Sequence, residues 1–387
     1  MIYIKNGRTA TMGADGVVEN GGVLIEGGKI KEAGRVVNIP EDCEVIDVRG
    51  SFIMPGIIDA HTHIGVFGSG IGEAGVDGNE VNDPVTPQMR ALDGIYAMDA
   101  EFARAYRAGV TCTATGPGSG NPIGGQFLAM KTKGRTMEEM VIKEPLAMKM
   151  AFGENPKNVH GKSRTPATRM GVAALIRETL YQAKEYGEKK ERAGENPDKR
   201  PPFDMKLEAL LPVIKGELLV KAHAHRADDI MTAIRIAEEF GLKMTIEHGT
   251  EGHLIAEELA EKGYGVILGP YTGFPHKNEV IKQDESAAGI LEKAGVKTAI
   301  MTDLPGMHEE NLVVCAGICH RKGMSEEGAL KAVTIHAAEL LGLSERIGSL
   351  EPGKDADIAV FDKNPVTSLD AKCILTVIDG KIVYRSI

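Results

Sequence analysis

The chain has 387 residues, 42% hydrophobic and 26% charged, with a formal net charge of −10. That balance fits a globular protein and argues against a nucleic-acid binder, whose phosphate contacts need a basic face. No apolar run reaches the roughly 18 residues a membrane-spanning helix needs, and the length suits a barrel of about 250 residues plus one small extra domain.

The first residues, Met1-Ile-Tyr-Ile-Lys-Asn-Gly7, read as a strand and turn, not a secretory leader. Up to about residue 53, short β segments such as Val23–Ile30 and Glu44–Val48 are separated by glycines. From residue 346 onward the pattern is the same, as in Ala356–Phe361 and Ile374–Tyr384. Neither end can bury a core alone. Residues 1–53 and 346–387 are therefore expected to meet in one composite β-sandwich, with 54–345 forming the main domain.

That middle region alternates strands with helices. The predicted strands are Ile57–His63, Val110–Thr115, Phe127–Lys131, Leu146–Phe152, Leu218–Ala224, Met244–His248, Val266–Leu268 and Thr298–Thr302. Several are uniformly apolar, as parallel strands buried on both faces should be. Helices are predicted over Met98–Arg107, Thr165–Lys189, Ala227–Phe240, Leu254–Lys262 and Asn278–Lys293. Such alternation points to an α/β chain closed into a (β/α)8 TIM barrel, with a doubly wound open sheet as the rival. Gly65–Gly94 reads as a loop over the barrel mouth, and Tyr186–Pro202 as a charged, solvated linker. The five cysteines are scattered, which suggests free thiols in a reducing cytoplasm.

Chemistry-bearing residues gather at the predicted strand ends. His61 and His63 end the first strand; in a strand, positions i and i+2 face the same way, so both imidazoles can grip one ion. His223 ends the fifth strand, His248 the sixth and Asp303 the eighth. Barrel active sites form at this end. Roughly a third of one His-x-His pair is expected by chance from eleven histidines, yet the chain has two, His61/His63 and His223/His225. A histidine-rich site with one carboxylate suits one or two Zn²⁺ ions, with Fe²⁺ or Mn²⁺ also compatible. Asp303 is the expected general base, within reach of an attacking water. His248 is either a ligand or a catalytic group orienting one. His225 stands between a substrate contact and structural filler.

Other positions frame the expected pocket. The glycine-rich stretch Gly116–Gly125 lacks a P-loop lysine. It is expected to line the pocket, with Asn121 and Gln126 as substrate contacts. Arg164 or Arg169 could hold a substrate carboxylate bidentately, or only solvate the surface. Tyr271 and His276 follow the seventh strand and could face substrate. Cys315, Cys319 and His320 are read as helix packing.

Several stretches together resemble the metal-dependent amidohydrolase superfamily: Pro55-Gly-Ile-Ile-Asp-Ala-His-Thr-His63, Ala108-Gly-Val-Thr111, Ala222-His-Ala-His225, Ile246-Glu-His-Gly249, Met301-Thr-Asp303 and Gly348–Asp357. Asn82–Arg90 and Gly153–Lys157 are similar to its imidazolonepropionase-related branch. The resemblance implies hydrolysis of amide, cyclic amide or amidine-like C–N bonds in a small molecule, without a covalent enzyme intermediate. His61, His63, His223 and Asp303 match the ligands of mononuclear members, and His248 is the added ligand of binuclear ones. Binuclear members often use a carboxylated lysine on the fourth strand; Lys149 stands at a suitable place, with Glu154 as a second candidate. The chain departs from the family's deaminases, because His-x-x-Glu is missing after His223, and Leu304 follows Asp303 where a histidine is usual in this branch. A prolidase-like dipeptidase or carboxypeptidase with a binuclear site and a catalytically silent scaffold are the alternatives. A homo-oligomer with no nucleic-acid or membrane partner is expected.

Overall fold

The structure is a computed structural model, and it describes every residue except 37–38, 69–71, 163–164, 271–274 and 276. Five strands come from the N-terminal region: β1 (Ile2–Ala10), β2 (Val17–Glu26), β3 (Lys29–Gly34), β4 (Glu44–Asp47) and β5 (Phe52–Pro55). Eight follow in the middle: β6 (Ile57–Thr62), β7 (Val110–Thr115), β8 (Ile123–Lys131), β9 (Val141–Ala151), β10 (Leu219–Ala224), β11 (Met244–His248), β12 (Gly265–Leu268) and β13 (Thr298–Ile300). Three close the chain: β14 (Ile358–Phe361), β15 (Cys373–Ile378) and β16 (Lys381–Arg385).

Strands from both ends share one sheet, in the order β16-β15-β14-β5-β1-β2-β3, with β4 also paired to β1. The junction is the antiparallel pairing of β14 with β5, where Phe361 faces Phe52 and Ile358 faces Pro55. One hydrogen-bonded sheet branching at β1 thus stands where a two-sheet sandwich is expected. Ile4, Val23, Ile25, Ile53, Ile358, Val360 and Val377 form its apolar core, so each end covers the apolar surface the other cannot.

The middle strands form the second sheet in strict chain order, β6 to β13. It is a nearly closed barrel. Between β13 and β6, the Asp303 backbone N–H donates to the His61 carbonyl at 3.2 Å, and the Thr302 hydroxyl donates to Asp59 at 2.5 Å. Most neighbours are parallel, but β8 runs antiparallel to both β7 and β9. All eight predicted strands exist; the expectation of uniform helical crossovers fails at the third. Only residues 116–122 separate β7 from β8, too few for the dozen or more a parallel crossover requires.

Two helix expectations also change. The helix over Arg169–Ala193 runs into the stretch read as a linker. Its charges support it from outside, with Lys189 paired to Glu185 and Arg192 to Glu188 at i,i+4 spacing. The span 278–293 holds a short 3-10 turn, Asn278–Val280, and a helix only over Ala287–Lys293. Cys315 and Cys319 pack in the apolar core on the helix Leu312–Arg321, and all five cysteines are free thiols. Among the described residues, no helix is long and apolar enough to cross a membrane.

Candidate metal centre

The C-terminal ends of the barrel strands bring together seven residues singled out in the sequence. His61, His63 and Asp303 form one group of donors, and His223, His225 and His248 a second; within each, the ligand atoms lie within 4.8 Å of one another. His63 Nε2 is 3.2 Å from Asp303 Oδ1, and His61 Nε2 is 3.6 Å from the same oxygen. The His248 ring lies 4.4 Å from His223 and 5.9 Å from His61, linking the two groups. Lys149, fully buried on β9, places its Nζ 3.0 Å from His61 Nε2.

Hydrogen bonds fix which ring nitrogen faces the cluster. His63 Nδ1 lies 2.7 Å from the Gly116 carbonyl and His248 Nδ1 2.9 Å from the Gly269 carbonyl, whereas His61 Nδ1 makes a close ionic contact, 2.6 Å from Glu247 Oε2, without hydrogen-bond geometry. A carbonyl only accepts, so Nδ1 of His63 and of His248 donates to it, and the Nε2 atoms of these two rings face the cluster, that of His63 toward Asp303. The Asn155 amide approaches His223 Nε2 at 3.3 Å, a contact that an ion at this nitrogen would replace, and His223 Nδ1 has no hydrogen-bond partner among the described residues. Four imidazoles therefore converge, two of them held by outer hydrogen bonds to backbone carbonyls of the kind that orient metal-bound histidines. The donor set fits a divalent transition metal.

Electrostatics agree with neutral rings. Burial drives His61 and His223 well below the ordinary imidazole range, helped by Lys149 at His61 and by His248 and His225 at His223. Burial takes His248 down to about 4 against the pull of Asp303. Burial would raise the Asp303 carboxyl, but His248, His63 and Lys149 outweigh it and hold it at about 2. Burial lowers Lys149 to about 8, with Asp303 and Glu247 opposing.

Backbone strain marks two of these positions. His248 has φ of 70° and Asp303 of 51°, in the left-handed region that non-glycine residues rarely occupy. Strict strand alternation would send Glu247 and His248 to opposite faces. The turn at His248 lets Glu247 reach His61 while the His248 imidazole joins His223. Gly116 supplies a close approach: a Cβ there would stand 2.2 Å from the Phe127 ring, which packs against His61 and His63.

A cavity of about 710 Å³ opens over the cluster, lined by His63, His223, His225, His248 and Asp303. Gly118 and Ser119, from the glycine-rich stretch, line it as expected, and so does Glu154. Three predicted substrate contacts stand elsewhere. Asn121 donates to Thr86 and accepts from His160, and Gln126 donates to the Pro87 carbonyl. Arg169 is bound to Asp229 and Glu279 and borders a separate surface groove. Each has its polar atoms engaged by a neighbour that sequence spacing does not reveal. Tyr271, His276 and Arg164 lie outside the described residues.

Four site residues escaped the sequence reading. Glu247 and Lys221 are fully buried on β11 and β10, with Nζ to Oε2 at 3.0 Å. Charged residues inside otherwise apolar strands were the available clue. Glu279, beside the cluster, falls in a span read as plain helix and Lys277 immediately before it, and neither carries such a clue.

Comparison with known proteins follows this geometry. Residues 204–383 match the model of the Amidohydrolase family. The amidohydrolase tasK of Hapsidospora irregularis is 31% identical over 93% of this chain, which spans 39% of that protein's length. The imidazolonepropionase of Colwellia psychrerythraea is 26% identical over 95% of this chain and 92% of its own. A crystal structure of an amidohydrolase from Thermotoga maritima superposes with a TM-score of 0.95 at 42% identity, covering 100% of both chains. The chain therefore belongs to the amidohydrolase family, in the branch related to the imidazolonepropionases.

Proposed function

We propose that this protein is a metal-dependent hydrolase that cleaves a C–N bond, of the amide, cyclic amide or amidine-like kind, in a small molecule. One observation carries the reading: four buried imidazoles from three strands converge beside Asp303, two of them oriented by backbone carbonyls. His61, His63 and Asp303 would hold one ion, and His223 and His248 a second, with His225 against them. Lys149 would bridge the two as a carboxylated lysine. Zn²⁺ suits the donors, as would Fe²⁺ or Mn²⁺. A bound ion of this type supplies Lewis acidity toward a carbonyl and lowers the pKa of water.

The chain's own groups do the rest. Asp303 accepts a proton from the water whose oxygen attacks the carbonyl carbon. As the C–N bond breaks, the same carboxyl returns that proton to the leaving nitrogen. The buried Lys221–Glu247 pair holds His61 in orientation throughout.

Elemental analysis followed by a hydrolysis panel of N-acyl amino acids, cyclic amides and cyclic amidines tests this. Bound divalent metal and turnover of at least one class are expected, both lost in His61→Ala. A His61→Ala protein that kept metal and turnover would defeat the proposal. The two donor groups also support a second reading, a binuclear prolidase-like peptidase. That reading requires two ions per chain, whereas the first holds with one or two, and it requires cleavage of dipeptides added to the panel; one ion per chain, or no dipeptide cleavage, weighs against it.

A further inference from the structure

The cavity has a mixed lining. Leu268, Pro270, Val280, Ala287 and Pro305 are its apolar residues. Asn155, Asn158 and Lys277 are among its polar ones, with Glu154 and Asp284 as acids. Lys277 is the only Lys or Arg lining the cavity among the described residues, and its side chain is 15% exposed.

Lys277 is held in place. Its Nζ donates to Asn155 Oδ1 at 3.0 Å and to Glu279 Oε1 at 3.0 Å. An ammonium has three N–H donors, so with these two partners among the described residues one donor is left over for the cavity. Glu279 does not belong to Lys277 alone: its Oε2 also takes the Glu154 N–H at 2.9 Å and Arg169 at 3.4 Å. The tether runs straight to the metal cluster. Asn155, gripped by Lys277 through its oxygen, donates its amide to His223 Nε2 and to Ser119. Glu279 Oε1, which takes Lys277, lies 3.9 Å from His223 Nε2 and 3.8 Å from His225 Nε2. The ammonium thus stands one side-chain amide away from a candidate ligand atom.

Resting on the hydrolase reading above, we infer that Lys277 receives a carboxylate of the substrate, so that the substrate class is a short amide or cyclic amide bearing an anionic end next to the scissile bond and an apolar substituent. A compact ammonium with one open donor attracts a carboxylate as a point charge. The apolar lining residues take the substituent. Asn155 is a positioning residue, because it fixes the lysine and His223 in register.

The test is calorimetric titration of the zinc-loaded protein with two matched probes, N-acetyl-L-leucine and N-acetyl-L-leucinamide. The carboxylate should bind about ten-fold or more tighter than the amide, the worth of one charge-assisted hydrogen bond. In Lys277→Met that ratio should collapse toward one, and Lys277→Arg should retain part of it, with zinc content and thermal unfolding confirming that each variant is folded. Equal affinities in the parent protein, no binding of the carboxylate, or a preference that survives Lys277→Met would each overturn the inference. Selective binding without turnover of any panel compound would defeat the hydrolase reading and leave only a carboxylate-binding site at Lys277; turnover without selectivity would defeat the assignment of Lys277 and leave the hydrolase reading.

Discussion

Glu247 Oε2 lies 2.6 Å from His61 Nδ1, and its other oxygen accepts from the Thr245 hydroxyl at 2.5 Å. Lys221 Nζ sits 3.0 Å from the oxygen that faces His61. One buried carboxylate therefore fixes an imidazole on one side and neutralises a buried ammonium on the other. Its loss should have two separable effects.

Glu247→Gln should weaken zinc binding by about 10–100-fold, as loss of a ligand's outer partner does. It also leaves Lys221 buried without its carboxylate, which should cost about 3–5 kcal/mol of stability. Adding Lys221→Met should restore most of the stability and none of the metal affinity. Competition with a chromophoric chelator reads the first effect, and urea unfolding reads the second. Full rescue of both by the double variant would show that Glu247 serves packing alone.

Asp303→Asn keeps the shape of the side chain and removes its basicity. With zinc held in excess, turnover should fall by a factor on the order of 10² to 10⁴, the usual worth of a positioned acid–base group. Steady-state kinetics on whichever panel compound the parent protein cleaves supplies the measurement. A variant within two-fold of the parent would remove Asp303 from the proton path.

Chelation should lower the melting temperature, because an ion held only by the folded state stabilises it by mass action. Buried imidazoles of both donor groups would also lose their metal partner. Differential scanning calorimetry with and without a chelator, then with zinc restored, should show a reversible shift. An unchanged melting point would mean that no ion occupies the cluster.

Lys131, the last residue of β8, reaches Asp357 at 2.6 Å, Asp379 at 3.0 Å and Asp355 at 3.1 Å. It fastens the barrel to the terminal sheet. Lys131→Met should destabilise the protein by about 3–5 kcal/mol, because buried carboxylates lose their cation. Denaturant unfolding checks this, and a change under 1 kcal/mol, well below that range, would argue against the clasp.

The same cluster predicts an acid effect. Burial would raise the Asp355 carboxyl, but Lys29, Lys131 and Arg346 hold it below the ordinary carboxylate range. A lowered folded pKa gives stability that is complete above the unfolded value of about 3.9 and is lost as pH falls through the folded value. Asp357 beside it is shifted upward by burial, so the contribution of Asp355 must be isolated by comparison. Asp355→Asn should therefore be less stable than the parent at neutral pH and lose less stability on acidification. Parallel profiles for the two proteins would refute the assignment.

Much of this site was legible in the chain. Period-two alternation puts His61 and His63 on one face, and both end a buried apolar strand; the same holds for His223 and His225. Lys149 was reachable through the family resemblance, and the structure seats it against His61. The antiparallel third strand was hidden because an apolar run shows burial but not direction. Asn121, Gln126 and Arg169 looked available as substrate contacts, because sequence spacing cannot show that Thr86, Pro87 and Asp229 already occupy their polar atoms.

What the sequence determined by itself was the periodic part: eight apolar segments, their histidine-bearing ends, and two termini each too small to fold alone. Only the tertiary structure decided which charges share a site. Lys221 meets Glu247, and Lys277 meets Asn155, across many intervening residues. Such pairings depend on barrel closure and on the left-handed turns at His248 and Asp303. Local alternation describes one strand at a time, and side-chain partners are chosen where strands from distant parts of the chain converge.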